Sequence, residues 1–431
     1  MNLKHLALAA SLAAASVLPV RAAEGPVPHG IPHLDHVFLI MMENHGYSQI
    51  IGNPNAPFIN QLAKKANLAT NYYAVAHPSL TNYLEVVGGS NFGVLSDHNT
   101  DWHNTSCATN LSTGVANTDN PPTGNICPID GVGTEAATPA IDTTNEASGA
   151  PGAANIDGVA SIDAAKDITG ITIGDQLARF RMGWKSYQES LPPQGADSVN
   201  YSDGVYTDAT DFSKIQPALT PALSQKDVVA LYAAKHNPFA YFRSVQEGTD
   251  PHDSLKNSVG FDGPHGLYAD LATGKVPALA FIAPNQCNDQ HGRGNGGAFC
   301  TYDPSDDGSQ AGLNPALIYR GDVAVQNLVT SIKHSPAWKH GRNAIVIVWD
   351  ENDYSTLPNT NQVVAIVDTN YGAHGVQSAH RYTHYSLLKS MEAGFGLPCL
   401  NHACDKNVSV MSDLFGEGKG AKEGGEEAGE Q

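Results

Sequence analysis

The chain has 431 residues, of which 41% are hydrophobic and 16% charged, with 42 glycines and 26 prolines. That composition supports a sizeable core, excludes a mainly disordered chain or a coiled coil, and points to many loops rather than a helical bundle. Lys and Arg number 24 against 43 Asp and Glu, giving a formal charge of -19; this excludes a basic nucleic-acid binder, and any phosphate handled here must be met by local cations.

Residues 1–23 read as a secretory signal peptide. Lys4 and His5 precede an apolar run from Leu6 to Leu18, and Val20-Arg21-Ala22 places small residues at a cleavage site. The run is too short to span a bilayer comfortably, so the expectation is a secreted or periplasmic protein without stable membrane insertion. Cys107, Cys127, Cys287, Cys300, Cys399 and Cys404 suit that compartment and fall as three local pairs in chain order. Local pairing is the expectation, because each pair closes a Gly/Pro/Asn-rich loop. With no CxxC present, a cysteine metal site is disfavoured.

Residues 24–415 read as one α/β domain, opening on a linker at 24–34. His36–Met42 (HVFLIMM) is a buried-strand pattern. Ala56–Asn67 and Leu80–Val87 are helical patterns. Residues 99–165 are rich in Thr, Asn, Gly, Ala and Pro with weak periodicity, and are expected to be a loop-rich insertion. A helix is expected at Ile173–Arg181, followed by strands at Trp184–Ser186 and Ala278–Ala283 (ALAFIA) and a polar loop at 285–310. Gly321–Lys333 reads as a helix, Ala344–Trp349 (AIVIVW) and Val363–Val367 as strands, and Tyr385–Ala393 as a helix. The Gly/Glu tail over 416–431 is expected to be disordered. Short apolar strands alternating with helices predict a central, mostly parallel β-sheet flanked by helices.

The chemistry is concentrated where strands end. HVFLIMM runs into Glu43-Asn44-His45, ALAFIA into Pro284, Asn285, Asp289 and His291, and AIVIVW into Asp350-Glu351-Asn352-Asp353. Ligands of open α/β sheets bind outside the carboxyl ends of strands. Anions gathered there repel one another unless a cation intervenes, and oxygen donors suit a hard divalent one. In His77-Pro78-Ser79-Leu80-Thr81-Asn82-Tyr83, Ser79 stands at an expected helix start. A serine there is often only an N-cap, but the position also gathers free N–H groups suited to a phosphate. Thr81 is expected to turn away. His77, His291, His374, His380 and His384 lie in or near these motifs, with two or three of them expected at the site, and His45 is a further candidate. With no Lys or Arg cluster near the motifs, a metal is expected to supply the counter-charge.

MENHGYSQIIGNPNAPFINQLA, ATNYYAVAHPSLTNYL, PNQCNDQHG, IVIVWDEND and RYTHYSLLKSMEAGFGL together resemble the bacterial and fungal phosphoesterase family of secreted acid phosphatases and phospholipases C, a branch of the alkaline phosphatase superfamily. The resemblance implies an alkaline-phosphatase-like α/β core. It implies a metal held by Glu43, Asn44, Asp350 and Glu351, with Ser79 as both metal neighbour and nucleophile. By the same resemblance Asp289, His291 and His384 fall where superfamily members hold a second metal; the expectation here is catalytic roles for His77, His291 and His384, and phosphate contacts from Asn82, Asp289, His291 and His384. Glu351 stands where two-zinc relatives carry His, and Glu43-Asn44 where they carry a single Asp, which favours one hard metal plus histidines. Its identity among Mg, Ca, Mn and Zn stays open. No C/S-x-P-x-R run occurs, which argues against a sulfatase.

The expected function is therefore an exported, metal-dependent acid phosphatase that releases phosphate from monoesters through a phosphoserine. The alternatives are a phospholipase C cleaving headgroup diesters and, in another class, a non-catalytic exported binder of metal or phosphate. The expected partner is a phosphate-ester substrate, with no nucleic acid; the sequence leaves the oligomeric state open.

Overall fold

The computed structural model describes residues 24–94, 168–191, 232–292, 315–352 and 360–416. The expected signal peptide, the 99–165 insertion, the tail beyond Gly416, Asp353, Cys107, Cys127 and Cys300 lie outside these residues.

In chain order the strands are β1 (His36–Met42), β2 (Asn67–Ala69), β3 (Tyr72–Tyr73), β4 (Trp184–Gln188), β5 (Ser258–Val259), β6 (Leu279–Ala283), β7 (Asn343–Trp349), β8 (Ala365–Thr369), β9 (Gln377–Ser378) and β10 (Tyr382–Thr383). The helices are α1 (Tyr47–Ile50), α2 (Pro57–Lys65), α3 (Ser79–Gly88), α4 (Ile173–Arg179), α5 (Arg243–Glu247), α6 (Leu267–Thr273), α7 (Pro315–His334), α8 (His384–Phe395) and α9 (Ser412–Phe415). Among the described residues, no helix is long and apolar enough to cross a membrane.

An eight-stranded sheet runs β5-β4-β6-β1-β7-β8-β2-β9. Its centre is parallel: β1 pairs with β7 from His36↔Asn343 to Met42↔Trp349, and with β6 from Val37↔Leu279 to Ile40↔Ile282. Both faces of β1, β6 and β7 are covered, which is why their sequences are continuous apolar runs rather than alternating ones. β8 is the exception, antiparallel to both β7 and β2. The apolar run at Val363–Val367 marked this strand two residues early. Val363 instead bridges Gly46, and the regular ladder begins at Ala365.

The flanking helices obey local rules. α2 starts on Pro57 and ends on Lys64 and Lys65, which suits the partial charges at its two ends. α4 is capped by Thr172, whose hydroxyl accepts from Gly174 and Asp175. α3 and α8 pack on each other and end at Gly89 and Gly396, both in the left-handed region that glycine enters most readily. The Cys399–Cys404 disulfide forms as the local-pairing expectation has it.

Candidate active site

Parallel strand direction brings the carboxyl ends of β1, β6 and β7 to one edge of the sheet. β1 delivers Glu43, β7 delivers Asp350 and Glu351, and the loop after β6 delivers Asp289 and His291. All four carboxylates are buried. The loop after β6 is fixed by Gln290, which donates to Ile318 O at 2.9 Å and accepts from Trp349 Nε1 at 2.9 Å. α7 comes close enough for this only because residue 321 is glycine; a β-carbon there would collide with the Gln290 side chain.

Ser79 opens α3 after the cis His77–Pro78 bond. Its hydroxyl lies 3.1 Å from Glu43 Oε2 and 3.3 Å from Glu351 Oε1. Lys235 Nζ donates to the same oxygen at 3.3 Å. The hydroxyl thus sits between carboxylates from two strands and a buried ammonium group.

Asn44 takes a positive φ of 50°, a conformation that asparagine tolerates better than most residues. That turn aims its backbone N–H at Asp350 Oδ1, 3.1 Å away. His77 sets Nδ1 2.8 Å from Glu351 Oε2. His291 donates Nδ1–H to Gly292 O at 2.9 Å, and its backbone N–H donates to Asp289 Oδ1 at 2.7 Å. Burial pushes the His291 pKa down to about 4, with the Lys235 charge acting in the same direction.

Two expected phosphate ligands are committed elsewhere. Asn82 Oδ1 accepts from Val75 N and Ala76 N, both at 3.0 Å, while its Nδ2 donates to Ala76 O at 2.8 Å and Glu351 Oε2 at 3.2 Å. Its role is therefore to tie the 75–76 backbone to Glu351. His384 donates Nε2–H to Asp350 O at 2.6 Å and accepts from Tyr72 OH at 3.0 Å, so both ring nitrogens are taken. It supports Asp350 rather than reaching a phosphate, and burial lowers its pKa to about 4. His374 and His380 are exposed, away from this cluster. His45 Nδ1 donates to Glu43 O at 3.0 Å. Thr81 turns toward Val94 O, as expected.

The expectation that no side-chain cation serves the site is corrected by Lys235 and His236, on a 3-10 turn at Ala234–His236. His236 stands 3.0 Å from Glu43 Oε1 and 3.4 Å from Asp289 Oδ2, and stacks on Tyr83 with ring centroids 5.1 Å apart. Both residues are buried. The signal in the sequence is a Lys-His pair inside the apolar, aromatic stretch ALYAAKHNPFAYF, where a cation needs a buried partner.

The electrostatics follow. Burial alone would raise the Glu43 pKa, but His236, Lys235 and His291 overcome it and hold this carboxylate well below its ordinary range. Asp350 and Asp289 go the other way, raised by burial and then by the Glu43 charge. The cluster thus carries more acid than its own side chains neutralise. Among the described residues Asp350 Oδ2 is buried without a hydrogen-bond partner, while Glu43 Oε1 and Asp289 Oδ2 face His236. An oxygen-rich donor set of this kind is chemically suited to a hard cation. As they stand, no three His, Cys, Asp or Glu side chains among the described residues are arranged to hold one.

A family model described as the Phosphoesterase family matches residues 53–298, which include Ser79, Lys235, His236, Asp289 and His291. The chain is 23% identical over 414 residues to a phosphatidylinositol-3-phosphatase of Mycobacterium tuberculosis, covering 95% of this chain and 92% of that protein. It is 24% identical to an acid phosphatase of Aspergillus fumigatus, covering 86% of this chain and 57% of the relative. It is 23% identical to a phosphate-repressible acid phosphatase of Penicillium chrysogenum, covering 88% and 63%. The chain thus spans about three fifths of these fungal relatives. A solved structure from Vibrio parahaemolyticus, described as a protein in the alkaline phosphatase superfamily, superposes with a TM-score of 0.43 at 10% identity, covering 91% of this chain and 74% of that one.

Proposed function

The chain belongs to the Phosphoesterase family and is a hydrolase of phosphoric esters, and from that premise we propose that it is an exported acid phosphatase that cleaves monoesters with Ser79 as nucleophile. The observation that carries this reading is the Ser79 hydroxyl, within 3.3 Å of Glu43, Glu351 and Lys235 together.

In the first step Ser79 Oγ attacks phosphorus, the bond to the leaving oxygen breaks, and the serine proton passes to Glu351 Oε1. Lys235 and the first N–H groups of α3 offset charge on the phosphoryl oxygens. The leaving oxygen takes a proton from solvent. In the second step water attacks phosphorus, the bond from phosphorus to Ser79 Oγ breaks, and Oγ takes its proton back from Glu351 as inorganic phosphate leaves. His291 has Nδ1–H committed to Gly292 O, so its Nε2 carries the lone pair that accepts the water proton. Glu351 is oriented throughout by His77 and Asn82, and Asp350 by His384 and the Asn44 N–H.

The same reading assigns a divalent cation to Glu43, Asn44, Ser79, Asp350 and Glu351. When bound, it would supply Lewis-acid stabilisation of negative charge at this site. The unpartnered Asp350 Oδ2 and the raised Asp350 carboxyl support the assignment. Two measurements on purified protein test the function. Ser79→Ala is expected to remove turnover of p-nitrophenyl phosphate while keeping the melting temperature; retained turnover eliminates Ser79 from the chemistry. Wild type is expected to prefer that monoester to bis-p-nitrophenyl phosphate; the reverse preference favours the diesterase alternative. The metal is tested separately by melting. Dialysis against a chelator is expected to lower the melting temperature of wild type but not of Asp350→Asn; an equal shift in both removes the cation from this cluster.

A further inference from the structure

A cleft of about 700 Å³ opens at the opposite end of the sheet, around the start of β4. Arg179, Arg181, Lys185, His252 and Lys256 line it together with Trp184. Asp250 is the one carboxylate in that lining. Such a concentration of cations is unusual for a chain whose formal charge is -19. Arg179 is partly neutralised by Glu24 and Lys185 by Asp270. Arg181 and Lys256 are exposed and form no ion pair among the described residues.

Arg181 is also held in an unfavourable backbone conformation. It follows Phe180, the C-cap of α4, with a φ of 59°. Glycine is the default at such a position, because a β-carbon crowds the left-handed region. Strain retained beside a cleft motivates a functional reading. The cleft floor is rigid: Trp184 stacks on Phe239 with ring centroids 4.3 Å apart and donates Nε1–H to Asp253 Oδ1 at 3.1 Å. Burial and the nearby Asp175 charge push the Asp253 pKa up to about 8, so at neutral pH this floor is mostly uncharged.

We propose that this cleft is a second anion-binding site, separate from the Ser79 centre, that takes an organic anion bearing at least two phosphate-type charges. The volume lies in the range of small-molecule sites and exceeds what a lone phosphate fills. Arg181 offers the planar fork that matches a phosphoryl group, and Lys256 adds a mobile point charge. β4 is parallel to β6, so the cleft and the catalytic edge are separated by the length of a five-residue strand, roughly 17 Å. The proposal does not depend on the assignment of Ser79.

The test is calorimetric titration of the purified full-length chain with methylenediphosphonate at low ionic strength. Wild type is expected to bind one equivalent more than Arg181→Glu/Lys256→Glu, while both hydrolyse p-nitrophenyl phosphate within about twofold of each other, since exposed charges far from a site perturb it little. Arg181→Gly guards against a folding artefact. It is expected to raise the melting temperature by relieving the left-handed arginine, and to weaken binding by about tenfold. A purely structural Arg181 would give the first effect without the second. Sedimentation with vesicles of phosphatidylcholine containing phosphatidylinositol 4-phosphate, whose headgroup carries two phosphates, separates the sources of the anion. Binding to vesicles but not to the diphosphonate, lost in both variants, assigns the site to a lipid headgroup. Diphosphonate binding lost in the double variant and weakened in Arg181→Gly assigns it to a soluble ligand. Equal binding by wild type and both variants in both arms overturns the site.

Discussion

Lys235, absent from the motifs, brings a positive charge to the Ser79 hydroxyl. It is buried, reaches the oxygen of Ser79, the proposed nucleophile, and helps hold Glu43 ionised. Replacing it with Met keeps the length of the side chain and deletes the charge. Lys235→Met is expected to lower kcat by about 10²–10³-fold with a smaller change in KM, the pattern for a charge placed to meet a developing oxyanion. Steady-state kinetics beside a thermal melt check this; an unchanged kcat in a folded variant would remove Lys235 from the transition state. Glu43, Asp350 and Glu351 were legible as candidates because they follow apolar runs, Ser79 because it opens a helix, and Asp289 and His291 because they lie in the polar loop after such a run. Lys235 and His236 were not, because a single lysine gives no local sign of being buried; only the neighbouring alanines and aromatics hint at it. Asn82 and His384 were legible as belonging to the site, but not in role. Whether an amide faces phosphate or backbone is decided by the turn around it, and here the 75–76 backbone claims Asn82.

At the scale of elements, β1 and β7 act as two rails in register, so the residues after Met42 and Trp349 emerge side by side. Their continuous apolar sequences predicted buried parallel strands, and that is what forms. An apolar run does not encode direction, however, so the reversal of β8 was invisible until pairing was known. α8 braces this edge from behind: it starts with His384 under Asp350 and carries Glu392 buried near its other end. Glu392 accepts from Leu400 N at 2.9 Å. Burial raises its carboxyl well above the ordinary value of 4.5, outweighing that hydrogen bond and nearby Lys389. A folded pKa above the unfolded one means that the native state binds the proton more tightly. Stability from this group is full below about 4.5 and declines as pH rises toward the folded pKa. Glu392→Gln, which cannot ionise, is therefore expected to melt higher than wild type at about pH 8, with the gain shrinking at about pH 4, near the ordinary carboxylate value. Parallel melts at the two pH values check the sign; no gain at the higher pH would mean that the carboxyl ionises freely in the fold.

The molecule as a whole is an acidic protein whose positive charge is spent locally. One buried pair, Lys235 and His236, serves the catalytic edge, and a cluster of cations around Arg181 lines the cleft at the other end of the sheet. The catalytic edge joins segments that are 306 positions apart, as in the Asn44–Asp350 hydrogen bond. Only the parallel sheet brings them together. The central claim is that these segments converge on the Ser79 hydroxyl so that it becomes transiently phosphorylated. The direct measurement is an acid quench of wild type during turnover of a ³²P-labelled phosphate monoester, followed by digestion and mapping of the labelled peptide. Acid-stable label is expected on the peptide containing Ser79, and is absent in Ser79→Ala. Acid-stable label on a peptide without Ser79, or turnover with no acid-stable phosphoenzyme, would contradict it.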